Sequence, residues 1–435
     1  MEVLKRNQQF IFIVFLWLLS GYGGPLPYLV VPLTVIVMKR RNMYQELLLG
    51  FFLILTLSDS RSYFLDWAAN AKNEYIVLLA LFLFIDRKSF AHFSYFYKRF
   101  IPFFLVAFLC VFFAPSDIVF VSFQKTLSYF FLIIVVSNYT IKCHNDYGGE
   151  FYKSLIYMSA VILAAGFILR VVNYEEAYLD ARYRGILGNP NGLGIYVMMI
   201  FIVFALIREK FPSLFSNREK NIIWGLMFVS MYMAGSRNSI FALVLFVFFS
   251  YFYKISPFLG FILFVIFIVG YLSVLNNIAD IVNYFGLGSY LRVDTLQDAS
   301  GRYIAWNFAK DHIKESIWLG RGFEYTENLF EDYSDWLNNL GHQGNAHNTY
   351  LTLWLDTGLI GLVSYVWAMG RSFAEAAKSS KLAIPAMYAI LFSTVFESWM
   401  AASLNPFTIQ LFIILTMLTS ESISPYQAPA VVPIQ

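Results

Sequence analysis

The sequence predicts an all-α fold: a polytopic membrane helix bundle of about 12–14 spans with one long loop that contains short helices. Three observations carry this. Of the 435 residues, 59% are hydrophobic and 19% aromatic. Only 14% are charged, against the roughly 25% usual in soluble domains, which excludes an ordinary soluble protein. Apolar stretches approaching the roughly 20 residues of a spanning helix recur along the whole chain, divided by short polar loops.

Fourteen stretches qualify, at 9–22, 25–38, 44–58, 71–85, 100–113, 119–137, 154–172, 191–207, 221–235, 237–253, 257–275, 347–370, 382–400 and 405–420. The first two are short and divided by Gly21, Gly23, Gly24, Pro25 and Pro27, so they form either two spans or a re-entrant hairpin. Lys5-Arg6 before the first apolar run resembles a secretory signal, but no small-residue cleavage site follows, and an uncleaved first helix is expected. Alternating the loops from a cytoplasmic start puts 19 of the 31 Lys and Arg inside, among them Lys39-Arg40-Arg41. Seven fall on or beside the short outer loops. The long loop, residues 276–346, holds the other five against ten Asp and Glu, a net charge of −5. The positive-inside rule therefore places that loop outside and both termini in the cytoplasm. Within it, Arg302 to Ser316 has the apolar spacing of an amphipathic helix, through Ile304, Trp306, Phe308, Ala309 and Ile313. No repeat or second soluble unit is visible, so residues 1–435 are expected to be a single membrane domain, with membrane lipids around it.

The net charge of +3 gives no basic surface for nucleic acid. Cys110 and Cys143 lack pairing or metal-ligand spacing, so neither a disulfide framework nor a zinc site follows. Walker-type, Asp-x-Asp, Gly-x-Ser-x-Gly and paired-Cys motifs are also missing, which argues against ATP or a nucleotide sugar. No cofactor and no metal are expected.

Charged residues within apolar stretches are costly, and Lys125, Arg170, Asp356 and Glu397 are the clearest cases. Each either pairs locally, snorkels to the interface or marks a site. On the expected topology all four lie in the outer half or near the middle, which favours a site open to the outside.

Four constellations reach the same face. The first runs Arg182-Tyr183-Arg184-Gly185-Ile186-Leu187-Gly188-Asn189-Pro190-Asn191-Gly192. It couples two guanidinium groups to a Gly/Asn/Pro turn at a helix start, which suits an anion, and equally an interfacial turn with arginine anchors. Gly235-Ser236-Arg237-Asn238-Ser239 joins two spans with almost no loop, so Arg237 must meet headgroups, a protein charge or an anionic ligand. Ser300-Gly301-Arg302 opens the loop helix, where Arg302 is either solvated or part of a site. Asn345-Ala346-His347-Asn348-Thr349-Tyr350 is followed by Asp356-Thr357-Gly358-Leu359-Ile360-Gly361. It sets His347 at the mouth of a span, as a helix-start residue or as a proton acceptor, since imidazole titrates near neutral pH. His342, five residues before it, is too weak a spacing for a metal site.

In this order, on a many-span chain with one large loop before the histidine, these motifs resemble the bacterial O-antigen ligase and polymerase superfamily. The resemblance covers roughly residues 150–375; it is specific for Arg182–Asn191 and His347–Gly361 and weaker for Ser236-Arg237 and Arg302. It implies transfer of a glycan from an undecaprenyl-pyrophosphate carrier at the periplasmic face of the bacterial inner membrane, without metal or ATP. Arg182 and Arg237 would bind pyrophosphate and His347 would act as base or orient the acceptor. Arg184, Asn189, Asn191, Arg302 and Asp356 would be further binding residues. Arginine suits pyrophosphate because its planar fork donates several charge-assisted hydrogen bonds and stays ionised. The expected function is an O-antigen polymerase joining repeat units of a surface polysaccharide. Its alternative is an O-antigen ligase delivering the polymer to lipid A core, and a lipid-linked glycan flippase or exporter is more distant. The acceptor is accordingly a glycan or lipid A core, and a polymerase would have a chain-length regulator as partner.

Overall fold

The computed structural model describes residues 7–90, 94, 96–274, 284, 302–342, 344–420 and 423. The Lys5-Arg6 start, Ser300-Gly301, the proline-containing tail and most of the first part of the long loop lie outside the described residues.

Each expected apolar stretch forms a helix. The first six are α1 (Gln8–Ser20), α2 (Pro27–Arg40), α3 (Tyr44–Leu57), α4 (Trp67–Ile85), α5 (Ile101–Val111) and α6 (Val119–Tyr147). They are followed by α7 (Gly149–Val172), α8 (Pro190–Lys210), α9 (Asn217–Ala234), α10 (Arg237–Ile255) and α11 (Pro257–Val274). The long loop contributes α12 (Arg302–Ile313), α13 (Tyr325–Asp332) and α14 (Ser334–Asn339), and α15 (Thr349–Ala376), α16 (Ala383–Val395) and α17 (Pro406–Thr419) complete the bundle. Five helical stretches, Tyr63–Ile85, Val119–Tyr147, Gly149–Val172, Pro190–Lys210 and Thr349–Ala376, are each long and apolar enough to cross a membrane. The protein is thus an all-α, multi-pass membrane bundle. Among the described residues, strand pairing is limited to a hairpin of two residues a side, β1 (Tyr178–Leu179) with β2 (Arg182–Tyr183).

Helices that are apolar on every side belong at the centre of such a bundle, where no face meets a polar medium. Every residue of α3 is buried, as are nearly all those of α8 and α17. An aromatic cluster seals one flank: the Tyr129 and Tyr365 hydroxyls are 2.7 Å apart, and Tyr129 also donates to the Met400 carbonyl at 2.8 Å. Phe103 and Tyr129 receive the Phe323 ring from the long loop, with centroids 6.1 and 5.9 Å away.

That loop is fastened to the bundle where α15 breaks. Gly358 takes φ 71° and ψ 177°, and the segment before α13 lies across the break. Gly322 N–H donates to the Asp356 carbonyl at 2.8 Å, and Leu359 N–H to the Ile317 carbonyl at 2.9 Å. Only glycine permits the approach, since a Cβ at Gly358 would lie 2.3 Å from the Trp318 carbonyl oxygen. Several expected boundaries shift, as where 119–137 continues as a helix to Tyr147, and one shift moves a charged residue. The stretch 382–400 is helical only to Val395, so Glu397 stands in the connection to α17 rather than inside a span.

Candidate functional site

The site assembles around Glu397. Its Oε1 accepts from Asn191 Nδ2 and from Arg302 Nη2, each at 3.0 Å, and its Oε2 lies 3.7 Å from His347 Nδ1. Asn191 Oδ1 in turn accepts from Arg182 Nη2 at 3.0 Å. Arg182 also donates from Nε and Nη2 to the Ala234 carbonyl and from Nη2 to that of Gly235, at 3.2, 3.0 and 3.3 Å. Arg237 begins α10 two residues beyond Gly235 and is half-buried. The motifs read separately from the sequence, at 182–191, 235–239, 302 and 347, are therefore contiguous in space.

Local sequence explains each placement. Asn189 caps α8, its Oδ1 accepting Gly192 N–H at 2.8 Å, which leaves Asn191 on the first turn. Gly188 passes so close to the α3–α4 connection that a Cβ there would sit 2.3 Å from the Asp59 carbonyl oxygen. Asp59 Oδ2 accepts Gly188 N–H at 3.1 Å, and burial pushes that carboxyl up to about 6. Arg184 clasps the same loop from its other side, donating to the Glu176 and Gly188 carbonyls at 2.9 and 3.2 Å. Gly235, in the left-handed conformation, ends α9 and turns the chain directly into α10.

His347 has φ 44°, a left-handed conformation that histidine adopts more readily than most non-glycine residues. Its N–H donates to Asn345 Oδ1 at 2.9 Å, and Trp306 Nε1 holds the preceding Ala346 carbonyl at 3.1 Å. Asn348 caps α15, and Thr349 Oγ1 donates to the Glu397 carbonyl at 2.8 Å, locking the histidine loop to the glutamate's own backbone. The His342 ring stands edge-on to His347 with centroids 5.8 Å apart. Burial, and then the nearby His347, push His342 below the usual imidazole value, so it is neutral at pH 7.

The electrostatics favour an anion. Arg237 occupies the first residue of α10, where the macrodipole is already positive and a cation is disfavoured. Asn191 and Thr349 mark two further helix starts in the same cluster. Helix N-termini together with guanidinium groups suit phosphate oxygens, and among the described residues Glu397 offsets part of this positive potential. At 3.7 Å, Glu397 is too far from His347 for a hydrogen bond but close enough to orient the ring.

Asp356 stands apart from these contacts. It is buried, and its Oδ1 accepts from Thr326 N and Oγ1 at 2.9 and 2.6 Å, fixing the start of α13. Arg184 and Asn189 likewise spend their described bonds on the architecture of the 182–191 loop. Lys125 pairs with Glu324 and with Glu327, the latter at 2.9 Å, bridging α6 to the loop helices. Sequence reasoning singled out Glu397 as an odd charge but did not assign it to the site. The signal was there, a carboxylate in an otherwise apolar stretch, whereas Asp59 gave none. Among the described residues no group of three or more His, Cys, Asp or Glu is arranged to hold a metal ion.

The multi-pass helical bundle thus gathers arginines, a glutamate and a histidine in one cluster, an arrangement whose chemistry suits an anion. A family model described as O-antigen ligase matches residues 222–366, a segment that contains Arg237, Arg302, His347 and Asp356. That segment, 145 of the 435 residues, is thus similar to O-antigen ligases. No curated protein matches the chain.

Proposed function

We propose that this protein transfers a glycan from an undecaprenyl-pyrophosphate carrier at the periplasmic face of the inner membrane, and that it is an O-antigen polymerase joining repeat units. The observation that carries this is the Glu397 cluster, which links Arg182 through Asn191 to Arg302 and His347. In this reading Arg182, Arg237 and Arg302 hold the pyrophosphate and stabilise the charge that grows on it as it leaves. His347 takes the proton of the acceptor hydroxyl, whose oxygen bonds to the anomeric carbon as the bond from that carbon to the phosphate oxygen breaks. Undecaprenyl pyrophosphate departs, and Glu397 supports the imidazolium that forms. Arg184, Asn189 and Asp356 shape the site around these groups.

A second reading, the ligase, is favoured by the description of the matching family model. Against it stands the loop's acidic surface, with Glu331, Asp332 and Asp335 all exposed, which repels a phosphorylated core oligosaccharide. The test is a deletion strain complemented by wild type, His347→Ala, Arg237→Ala or Glu397→Gln, with surface glycolipid and carrier-linked glycan resolved on gels. A polymerase deletion gives core bearing one repeat, and a ligase deletion gives bare core with long polymer left on the carrier. His347→Ala is expected to lower transfer by about 10²- to 10⁴-fold. Full transfer by both His347→Ala and Arg237→Ala at normal protein levels would overturn the assignment.

A further inference from the structure

Beside the arginine cluster lies a second, chemically different space. A cavity of about 400 Å³ opens between α4, α6, the start of α13 and the connection before α17. That is within the roughly 300–1,000 Å³ of ordinary ligand pockets. Its walls include Lys72, Gln124, Lys125, Glu327, Asn345 and Ser398. Two of these also belong to the wall of the histidine site: Asn345 Oδ1 accepts from His347 N at 2.9 Å and from Ser398 Oγ at 3.3 Å, and Ser398 follows Glu397 in the chain. One layer of residues therefore separates the cavity from His347.

The two spaces differ in charge. On the arginine side the described contacts set the guanidinium groups of Arg182 and Arg302 about Glu397 and its partner Asn191. In the cavity Lys125 is paired with both Glu324 and Glu327, which cancels its attraction for phosphate. What remains is a mixture of amide, hydroxyl and charged groups, Lys72 among them with no ion pair to the described residues, and the Trp399 and Phe323 side chains lie among the apolar surface. Such walls suit a polyol, whose hydroxyls both donate and accept and whose ring faces are apolar.

We infer that this cavity is the acceptor pocket, holding the terminal sugar of an uncharged glycan with a hydroxyl directed at the Asn345–Ser398 contact, which parts to let that hydroxyl meet His347. The inference rests on the glycan-transfer reading and adds a division of labour: the phosphates lie on the arginines, and the acceptor sugar lies between α4, α6 and α13. Gln124 and Asn345 are its positioning residues, acting on the acceptor and not on the leaving group.

The experiment uses the full chain in lipid nanodiscs and, as probe, the carrier-free repeat-unit oligosaccharide released by mild acid from the same lipid-linked glycan. Binding is followed by calorimetry, and transfer is measured in parallel on the same preparations. Gln124→Leu removes hydrogen-bonding groups, and Ala402→Trp fills the space with a side chain from an exposed wall position. Each is expected to weaken oligosaccharide binding at least tenfold and to raise the KM for acceptor with little change in the KM for carrier-linked donor. Arg237→Ala, though defective in transfer, is expected to bind the oligosaccharide as wild type does. Unchanged binding in both cavity variants, absence of binding by wild type, or loss of binding in Arg237→Ala alone would overturn the pocket. Wild type that binds the oligosaccharide but transfers nothing would instead overturn the glycan-transfer reading and leave the pocket standing.

Discussion

At the scale of single residues, the site is governed by two carboxylates on opposite sides of the 182–191 loop. Glu397 gathers the side chains, and Asp59 holds the backbone of Gly188. Because burial lifts the Asp59 carboxyl to about 6, the folded chain keeps a proton there between about pH 4 and 6 that the unfolded chain has already lost. The sign follows: this group's contribution to stability falls as pH rises through that window and is level above it. Asp59→Asn should remove that slope, so the thermal midpoint of the variant in detergent should fall less than that of wild type between pH 4.5 and 6.5. Identical slopes would mean that Asp59 does not titrate in this range. The arginines and His347 were legible in the sequence because each stood in a short polar motif beside an apolar run. Glu397 and Asp59 were not assigned, because their partners lie 206 and 129 residues away along the chain.

At the scale of elements, the break in α15 does the most to shape the site. Gly358 occupies backbone space open essentially to glycine alone, where another residue costs about 1–3 kcal/mol. Gly358→Ala adds the collision with the Trp318 carbonyl, so it should lower the thermal midpoint and loosen the segment that carries α13. Gly370→Ala, in the same helix with nothing near the added methyl, should be neutral or stabilising. Equal behaviour of the two variants would show that the break is not held by its glycine. The apolar stretches foretold these helices closely because hydropathy is a local property; Arg302–Ile313 appeared within the expected 302–316. Two features were missed for physical reasons. The hairpin Tyr178–Tyr183 is too short for an alternating pattern, and the end of α16 was hidden because Trp399, Met400 and Ala401 are apolar yet buried in a connection rather than a helix.

At the scale of the whole molecule, the distribution of Lys and Arg argues for an orientation that accessibility can test. Cys110 and Cys143 are both buried, so a single introduced cysteine reports alone. On the proposed topology, an impermeant maleimide should label Asp311→Cys in intact spheroplasts and Lys378→Cys only after permeabilisation; the reverse pattern would invert the protein. Both positions are exposed. The bundle could be read from composition, but the convergence of its helix starts on one carboxylate could not, since that depends on how α8, α10, α12 and α15 pack. The wide spread of the cluster along the chain also bears on biosynthesis. Its parts run from Asp59 to Glu397, and the glutamate that joins them emerges from the ribosome after all the others. A nascent chain can thus thread most of its helices into the bilayer before the proposed site is complete. Insertion and completion of that site are separated in time by the order of the sequence itself.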